Sequence, residues 1–198
     1  MQRLLAFGLA ALALVSCQAV LAQAAPPAAA ACGACHGLTG NSITPQWPSL
    51  AGQHPRYTIA QLKAFQTSAR KDPNMNALVT TLAEEDFTAI AAFYASQQPD
   101  IQSIAVEQVA AGENLYRGGN AASGVPACMA CHGPDGAGNA LAGYPALRGQ
   151  HVDYVIKQLK DYRDGVRSTD LNEMMRTIAQ RLTVAEIEAL ATYVSALH

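Results

Sequence analysis

The 198-residue sequence contains a single tryptophan, and aromatic residues make up only 6% of it. Two small domains built from these side chains alone would have thin cores, because domains of roughly 80 residues bury a limited fraction of their surface. The formal net charge is −2 and no basic run appears, so nucleic-acid binding, which needs a concentrated Lys/Arg surface, has no support. Four of the five cysteines fall in two pentapeptides, which leaves no pair for a structural disulfide. Beyond the amino terminus no apolar run approaches the roughly 18 residues of a spanning helix. No stretch of alternating apolar residues is long enough for a sheet either, so the expected fold class is all-α.

What the chain does contain is one signature written twice: Cys32-Gly33-Ala34-Cys35-His36 and Cys128-Met129-Ala130-Cys131-His132. Cys-x-x-Cys-His is the attachment signature of a c-type haem. The two thiols add across the two vinyl groups of one porphyrin, and two intervening residues on a helical turn place both sulfurs on one side of the ring. The adjacent histidine is carried over the iron, where its imidazole nitrogen can ligate the metal. Two covalently attached haems would also supply the large, flat apolar bodies that the aromatic-poor composition lacks.

Residues 1–24 read as an export signal: Arg3 gives a weakly positive start, an apolar core runs over residues 4–15, and small residues near Ala22 and Ala24 offer cleavage sites. Leu14-Val15-Ser16-Cys17 also resembles a lipoprotein box, with Cys17 as the lipidated residue, so a soluble form and a lipid-anchored one are both open. Export to the periplasm agrees with haem attachment there.

An internal repeat sets the architecture. Pro48-Ser49-Leu50-Ala51-Gly52-Gln53-His54 matches Pro145-Ala146-Leu147-Arg148-Gly149-Gln150-His151. The match continues through Tyr57 and Tyr154, Gln61-Leu62 and Gln158-Leu159, Phe65 and Tyr162, and Arg70 and Arg167. It resumes after a three-residue gap at an offset of 100, pairing Met75 with Met175, Leu82 with Leu182 and Ile90 with Leu190. The chain therefore divides into domains over residues 25–98 and 99–198. Helices are expected over residues 54–67, 84–96, 106–116, 150–163 and 184–197, from apolar residues at three- and four-residue spacing. Thr183-x-x-Glu186 is a capping box for the last of these. The first copy has Ala83 at that place and must rely on Glu84 and Glu85 near the positive helix end. Glycine-rich loops follow each pentapeptide.

His36 and His132 are the expected proximal ligands. Met75 and Met175 lie 39 and 43 residues further on, before each closing helix, and a thioether there would raise the reduction potential and fill the sixth position. A lone methionine is ordinarily packing; its recurrence at one repeat position argues for ligation. Met174 is the neighbouring alternative to Met175, and the seven-residue step to Leu182 favours Met175. His54 and His151 also recur, as alternative sixth ligands or as surface and propionate-facing residues. The Pro48 and Pro145 carbonyls fall where they could take the imidazole protons. Tyr57, Tyr154, Arg70 and Arg167 are candidates to meet haem propionates. A thioredoxin-like dithiol lacks its βαβ context, and a zinc site would not separate its Cys pairs by 92 residues.

On Cys32-Gly33-Ala34-Cys35-His36-Gly37, Leu50-Ala51-Gly52-Gln53, Asp72-Pro73-Asn74-Met75 and their second-copy partners, the sequence resembles the cytochrome c4 family. The resemblance covers nearly the whole chain past the export signal. It implies two tandem class I cytochrome c domains related by a pseudo-two-fold axis, with haem propionates facing each other across the interface. It also implies His/Met ligation at both irons and electron delivery to a terminal oxidase. The expectation is a periplasmic electron carrier, not an enzyme, working between a quinol-oxidising complex and a terminal oxidase or reductase. The alternatives are a dihaem cytochrome subunit of a flavocytochrome sulfide dehydrogenase or alcohol dehydrogenase complex, and a dihaem peroxidase. The Ala/Pro start of the first domain departs from the family pattern.

Overall fold

The computed structural model describes residues 24–198; Cys17 and all but the last residue of the expected export signal lie outside the described residues. The described chain is helical, and its only strand-like pairings are two isolated bridges, Asn120 with Val125 and Asn139 with Tyr144. The first half holds α1 (Ala30–His36), α2 (Pro55–Gln66), α3 (Pro73–Val79) and α4 (Glu84–Ala95). The second holds α5 (Val106–Gly118), α6 (Met129–His132), α7 (Val152–Arg163), α8 (Met174–Ala179) and α9 (Val184–Ala196).

Each half has its own core. One cluster joins Leu62, Phe65, Val79, Phe87, Ile90 and Tyr94; the other joins Val109, Leu115, Tyr116, Leu182, Ile187, Leu190 and Val194. The repeat register is visible in burial: Val79 and Ala179, Phe87 and Ile187, and Ala91 and Ala191 are all fully buried. The halves differ at their starts. In the second, the 13-residue α5 crosses α9, and Gly112 makes the crossing possible, since a Cβ there would lie 2.1 Å from the Ala189 carbonyl oxygen. In the first, proline limits the approach to a single 3-10 turn, Pro27–Ala29, which leads straight into α1 and packs beside α4.

Helix ends follow local chemistry. His54 and His151 were expected inside helices but are extended N-caps, and Pro55 takes the first turn of α2, where its missing N–H costs nothing. Asp72 caps α3 by accepting the Asn74 and Met75 backbone N–H groups at 3.0 Å each. The Thr183–Glu186 capping box forms as expected. The start of α4 is better served than expected, because the Asp86 carboxylate accepts the Ala83 N–H at 3.1 Å and supplies half a box. The three extra residues of the second copy fall before α8. There Asn172 and Glu173 both adopt left-handed backbone (φ 52° and 58°), a costly conformation for non-glycine residues.

The two halves meet through contacts that map onto one another when the repeat is applied. The Gln53 side chain donates to the Ala146 carbonyl and accepts the Ala146 N–H, both at 3.0 Å. The Gln150 side chain does the same to Ser49, both at 2.9 Å. Gln53 and Gln150, like Ser49 and Ala146, are repeat equivalents, so the interface is isologous, as a pseudo-two-fold axis requires. The segment joining the halves is pinned to both: Asn41 bonds Gln98 and Asp100, and the Gln102 N–H donates to Ser195. Gly149 (φ 69°) passes so close to Asp100 that a Cβ would lie 2.5 Å from its carbonyl oxygen.

Candidate functional site

The helical turns α1 and α6 carry the pentapeptides. Cys32 is buried, Cys35 and Cys128 are half-buried, Cys131 is exposed, and none of the four is paired in a disulfide. Burial pushes the Cys32 thiol up and the Cys128 thiol up to about 11. Among the described residues no three His, Cys, Asp or Glu side chains gather as a metal cluster, and the two cysteine pairs stay in separate halves.

His36 and His132 are 6% and 7% exposed. Each ring places Nδ1 on the predicted proline carbonyl, at 2.8 Å from Pro48 and 3.0 Å from Pro145. Nδ1 therefore carries the proton and Nε2 keeps its lone pair, the tautomer an iron ligand needs. Burial pushes both imidazoles below their ordinary range, against the opposing pull of those carbonyls, and so favours the neutral form. Tyr116 steadies the second motif from α5, donating its hydroxyl to the Gly133 carbonyl at 2.7 Å.

Met75 is half-buried on α3 and packs against the first core. Met175 is half-buried in the first turn of α8, and both residues stand four positions before a fully buried one, Val79 or Ala179. Met174 points to a different neighbour: its sulfur lies 4.0 Å from the Tyr144 hydroxyl, and the Tyr144 ring is tilted 6.3 Å from the His132 imidazole. His151 is engaged elsewhere, with Nε2 at 2.7 Å from the Ser42 carbonyl across the interface. Its repeat partner His54 has a buried Nε2 with no partner.

Between the halves lies a polar cluster in which sequence reasoning foresaw four members. Arg70 donates to Gln61 of its own half at 2.8 Å, and to Tyr154 and Gln158 of the other half at 2.9 and 2.8 Å. Arg167 mirrors it, donating to Gln158 at 2.8 Å, and to Tyr57 and Gln61 at 2.7 and 2.9 Å. Each guanidinium stacks on an aromatic ring of its own half, Phe65 or Tyr162, 4.6 Å from the centroid. Sequence reasoning missed Gln61, Gln158, Gln53 and Gln150 as interface residues. The available signal was a glutamine repeated at the same place on an otherwise apolar helix face or glycine turn.

No carboxylate bonds either guanidinium among the described residues. Two unit charges about 5 Å apart repel by roughly 3 kcal/mol at an effective dielectric of 20. Arg167 is nevertheless 5% exposed, and its Nε is buried without a partner. Burial alone would push the Tyr57 phenol up, yet Arg167 and Arg70 hold it below its ordinary value. A buried cation pair lacking its anion fits a prosthetic group that carries carboxylates. The imidazoles and thioethers fit its iron, and the thiol pairs fit its vinyl groups.

Known proteins agree. The cytochrome c family model matches residues 23–98 and again 109–198. Cytochrome c4 of Pseudomonas aeruginosa is 44% identical over 196 residues, covering 98% of this chain and 96% of that protein. The thiosulfate dehydrogenase electron acceptor of Thiomonas intermedia is 38% identical over 177 residues, covering 87% of this chain and 81% of that one. The crystal structure of reduced recombinant cytochrome c4 from Pseudomonas stutzeri superposes with a TM-score of 0.83 at 41% identity, covering 86% of this chain and 95% of that chain. With two helical cytochrome c domains in tandem and a covalently bound haem c for each, the chain belongs to the cytochrome c4 family of electron-transfer proteins.

Proposed function

We propose that the protein is a periplasmic carrier that moves single electrons through two six-coordinate haems, one in each of the domains formed by residues 25–98 and 99–198. In this reading Cys32 and Cys35 hold the first haem by thioether bonds, and Cys128 and Cys131 hold the second. His36 and His132 would supply Nε2, and Met75 and Met175 their sulfur, as the protein ligands of the irons. The bound haem supplies a one-electron Fe(III)/Fe(II) couple, tuned by its axial ligands. The chain's own residues do the rest. Pro48 and Pro145 fix the tautomer and orientation of each imidazole. The two cores exclude water, and Arg70 and Arg167 offer buried cations to the haem carboxylates. The observation that carries this reading is the pair of buried imidazoles, each with Nδ1 committed to a proline carbonyl and Nε2 left free.

Filled coordination leaves no vacancy for peroxide, which favours a carrier over a peroxidase. The donor would be a quinol-oxidising complex and the acceptor a terminal oxidase or reductase. A second reading has a specific support: a relative of matching length is named an electron acceptor of thiosulfate dehydrogenase. Here the donor would be a soluble dehydrogenase and the protein its cytochrome partner. No described helix is long and apolar enough to cross a membrane; a lipid on Cys17, or an uncleaved amino-terminal segment, would attach the protein to one.

The test is spectroscopic. Purified protein should show two low-spin haems with the Fe(III)–Met charge-transfer band of His/Met ligation, on the order of half of it lost in Met75→Ala and half in Met175→Ala. A high-spin or peroxide-reactive haem in the unmutated protein would overturn the assignment. Mixing the oxidised protein with a quinol-oxidising complex and quinol, or with thiosulfate dehydrogenase and thiosulfate, and following haem reduction separates the two donor readings.

A further inference from the structure

The peptide group between Pro145 and Ala146 is held at both ends, and the two ends belong to different halves of the interface. Its carbonyl oxygen accepts the Nδ1–H of His132 at 3.0 Å. Its N–H, on Ala146, donates to Oε1 of Gln53 at 3.0 Å. The repeat builds the same chain in reverse. The peptide between Pro48 and Ser49 accepts from His36 at 2.8 Å through its carbonyl and donates to Oε1 of Gln150 at 2.9 Å. Each imidazole is thus linked, through one peptide, to a glutamine of the other half. Both glutamines are fixed for the task. Each Oε1 also accepts the backbone N–H of the following histidine, at 2.9 Å for His54 and 3.1 Å for His151. Each Nε2 is tied to the opposite chain segment, at 3.0 Å to the Ala146 carbonyl and 2.9 Å to the Ser49 carbonyl.

A peptide that donates its N–H becomes a better acceptor at its C=O, because hydrogen bonds in series polarise one another, the more so in a low-dielectric interior. A better acceptor on Nδ1–H leaves the imidazole richer in electrons and a stronger donor at Nε2. We propose that Gln53 and Gln150 are crossed positioning residues: Gln53 tunes the iron ligated by His132, and Gln150 tunes the iron ligated by His36. Neither glutamine touches haem or metal, and each acts through one peptide and one imidazole. Redox tuning of each domain is thereby made conditional on its docking to the other.

The inference rests on the histidine ligation proposed above, and its test distinguishes the two. Gln53→Met and Gln150→Met keep the side-chain volume and remove the acceptor. Both variants are titrated potentiometrically as the full-length, haem-loaded protein, and each couple is assigned to its domain by its displacement in Met75→Ala or Met175→Ala. Solvent exchange of the His132 and His36 Nδ1–H protons is followed by NMR on the same samples, a readout independent of electron transfer. Gln53→Met should raise the potential of the second-domain haem and speed exchange at His132, with much smaller changes in the first domain. Gln150→Met should do the reverse. Gln46→Ala removes an exposed cross-domain bond to Asp153 and should move neither. Equal shifts at both irons, shifts confined to the mutated domain, or no shift would overturn the crossed relay while leaving the haem assignment intact. A parent protein whose NMR spectrum lacks the paramagnetically shifted imidazole signals of an iron-bound His132 or His36 would overturn the ligation itself and the relay with it.

Discussion

Replacing Gly112 by alanine sets two well-characterised effects against each other. Gly112 sits in the middle of α5, and a helix-interior glycine costs roughly 1 kcal/mol relative to alanine. On propensity alone, Gly112→Ala should therefore stabilise the protein. The tertiary contact opposes this. The new methyl carbon would lie 2.1 Å from the Ala189 carbonyl oxygen and 2.7 Å from Tyr193 Cβ, where ordinary contact begins at about 3.4 Å. The nearest atom is backbone, so no rotamer change relieves the clash. The helices must part by more than an ångström along a seam that buries Val109, Leu115 and Tyr116 of α5 against Ile187, Leu190 and Val194 of α9. Overpacking of this kind costs about 1–3 kcal/mol, and more when backbone is the obstacle. Because the obstacle is backbone, the upper end of that range applies, and after the propensity gain a net loss of about 2 kcal/mol remains for the second domain. For a domain of this size that lowers Tm by roughly 5–15 °C. The damage should reach the haem motif, because Tyr116 holds the Gly133 carbonyl from the same helix. Thermal unfolding followed by far-UV circular dichroism and by the haem Soret band should show the second domain melting earlier. A variant as stable as the parent, or more stable, would refute the reasoning.

The first domain offers a gain. Ala83→Thr introduces the missing cap oxygen at backbone angles (φ −81°, ψ 156°) close to those of Thr183 (φ −74°, ψ 164°). It should complete the box already half-built by Asp86 and stabilise α4 by about 1 kcal/mol, checked by chemical denaturation. At the start of α8, burial raises the Asp170 carboxyl, but the backbone N–H and guanidinium of Arg176 outweigh it and hold the group below the usual carboxylate range. A depressed folded-state value contributes stability above the unfolded pKa of about 3.9, and that stability is lost as pH falls through the lower folded value. Thermal unfolding between pH 2 and 7 should therefore show a loss on the acid side that is reduced in Asp170→Asn. An identical pH profile in the variant would count against that ion pair.

Much of the fold was legible in the sequence because it is local. Three-residue and four-residue apolar spacing places α2, α4, α7 and α9 to within one or two residues at each end; at the starts of α2 and α7 the difference arises because His54 and His151 take non-helical cap positions. The proline carbonyls are legible because their distance along the chain from each histidine is short and nearly the same, 12 and 13 residues. The alternative of His151 as a sixth ligand weakens on geometry that no spacing could give, since its Nε2 lies on the Ser42 carbonyl. The roles of Tyr57, Tyr154, Arg70 and Arg167 were legible only by type: the residues suited a carboxylate. That they share oxygen acceptors across the interface, so that each guanidinium serves both domains, depends on how the halves dock.

The sequence by itself therefore determined the cofactor, its number and the repeat, because thioether attachment is a covalent requirement met within five residues and duplication leaves matching residues in the same order, broken only by short gaps. Tertiary structure alone decided which groups act across the interface. Gln53 and Ala146 are 93 residues apart, and nothing in a glutamine's neighbours along the chain marks the peptide it will grip. Hydrogen-bond partners at that separation are set by the packing of two finished domains. Only that packing lets the peptide that accepts from each buried imidazole be gripped by a glutamine of the other half.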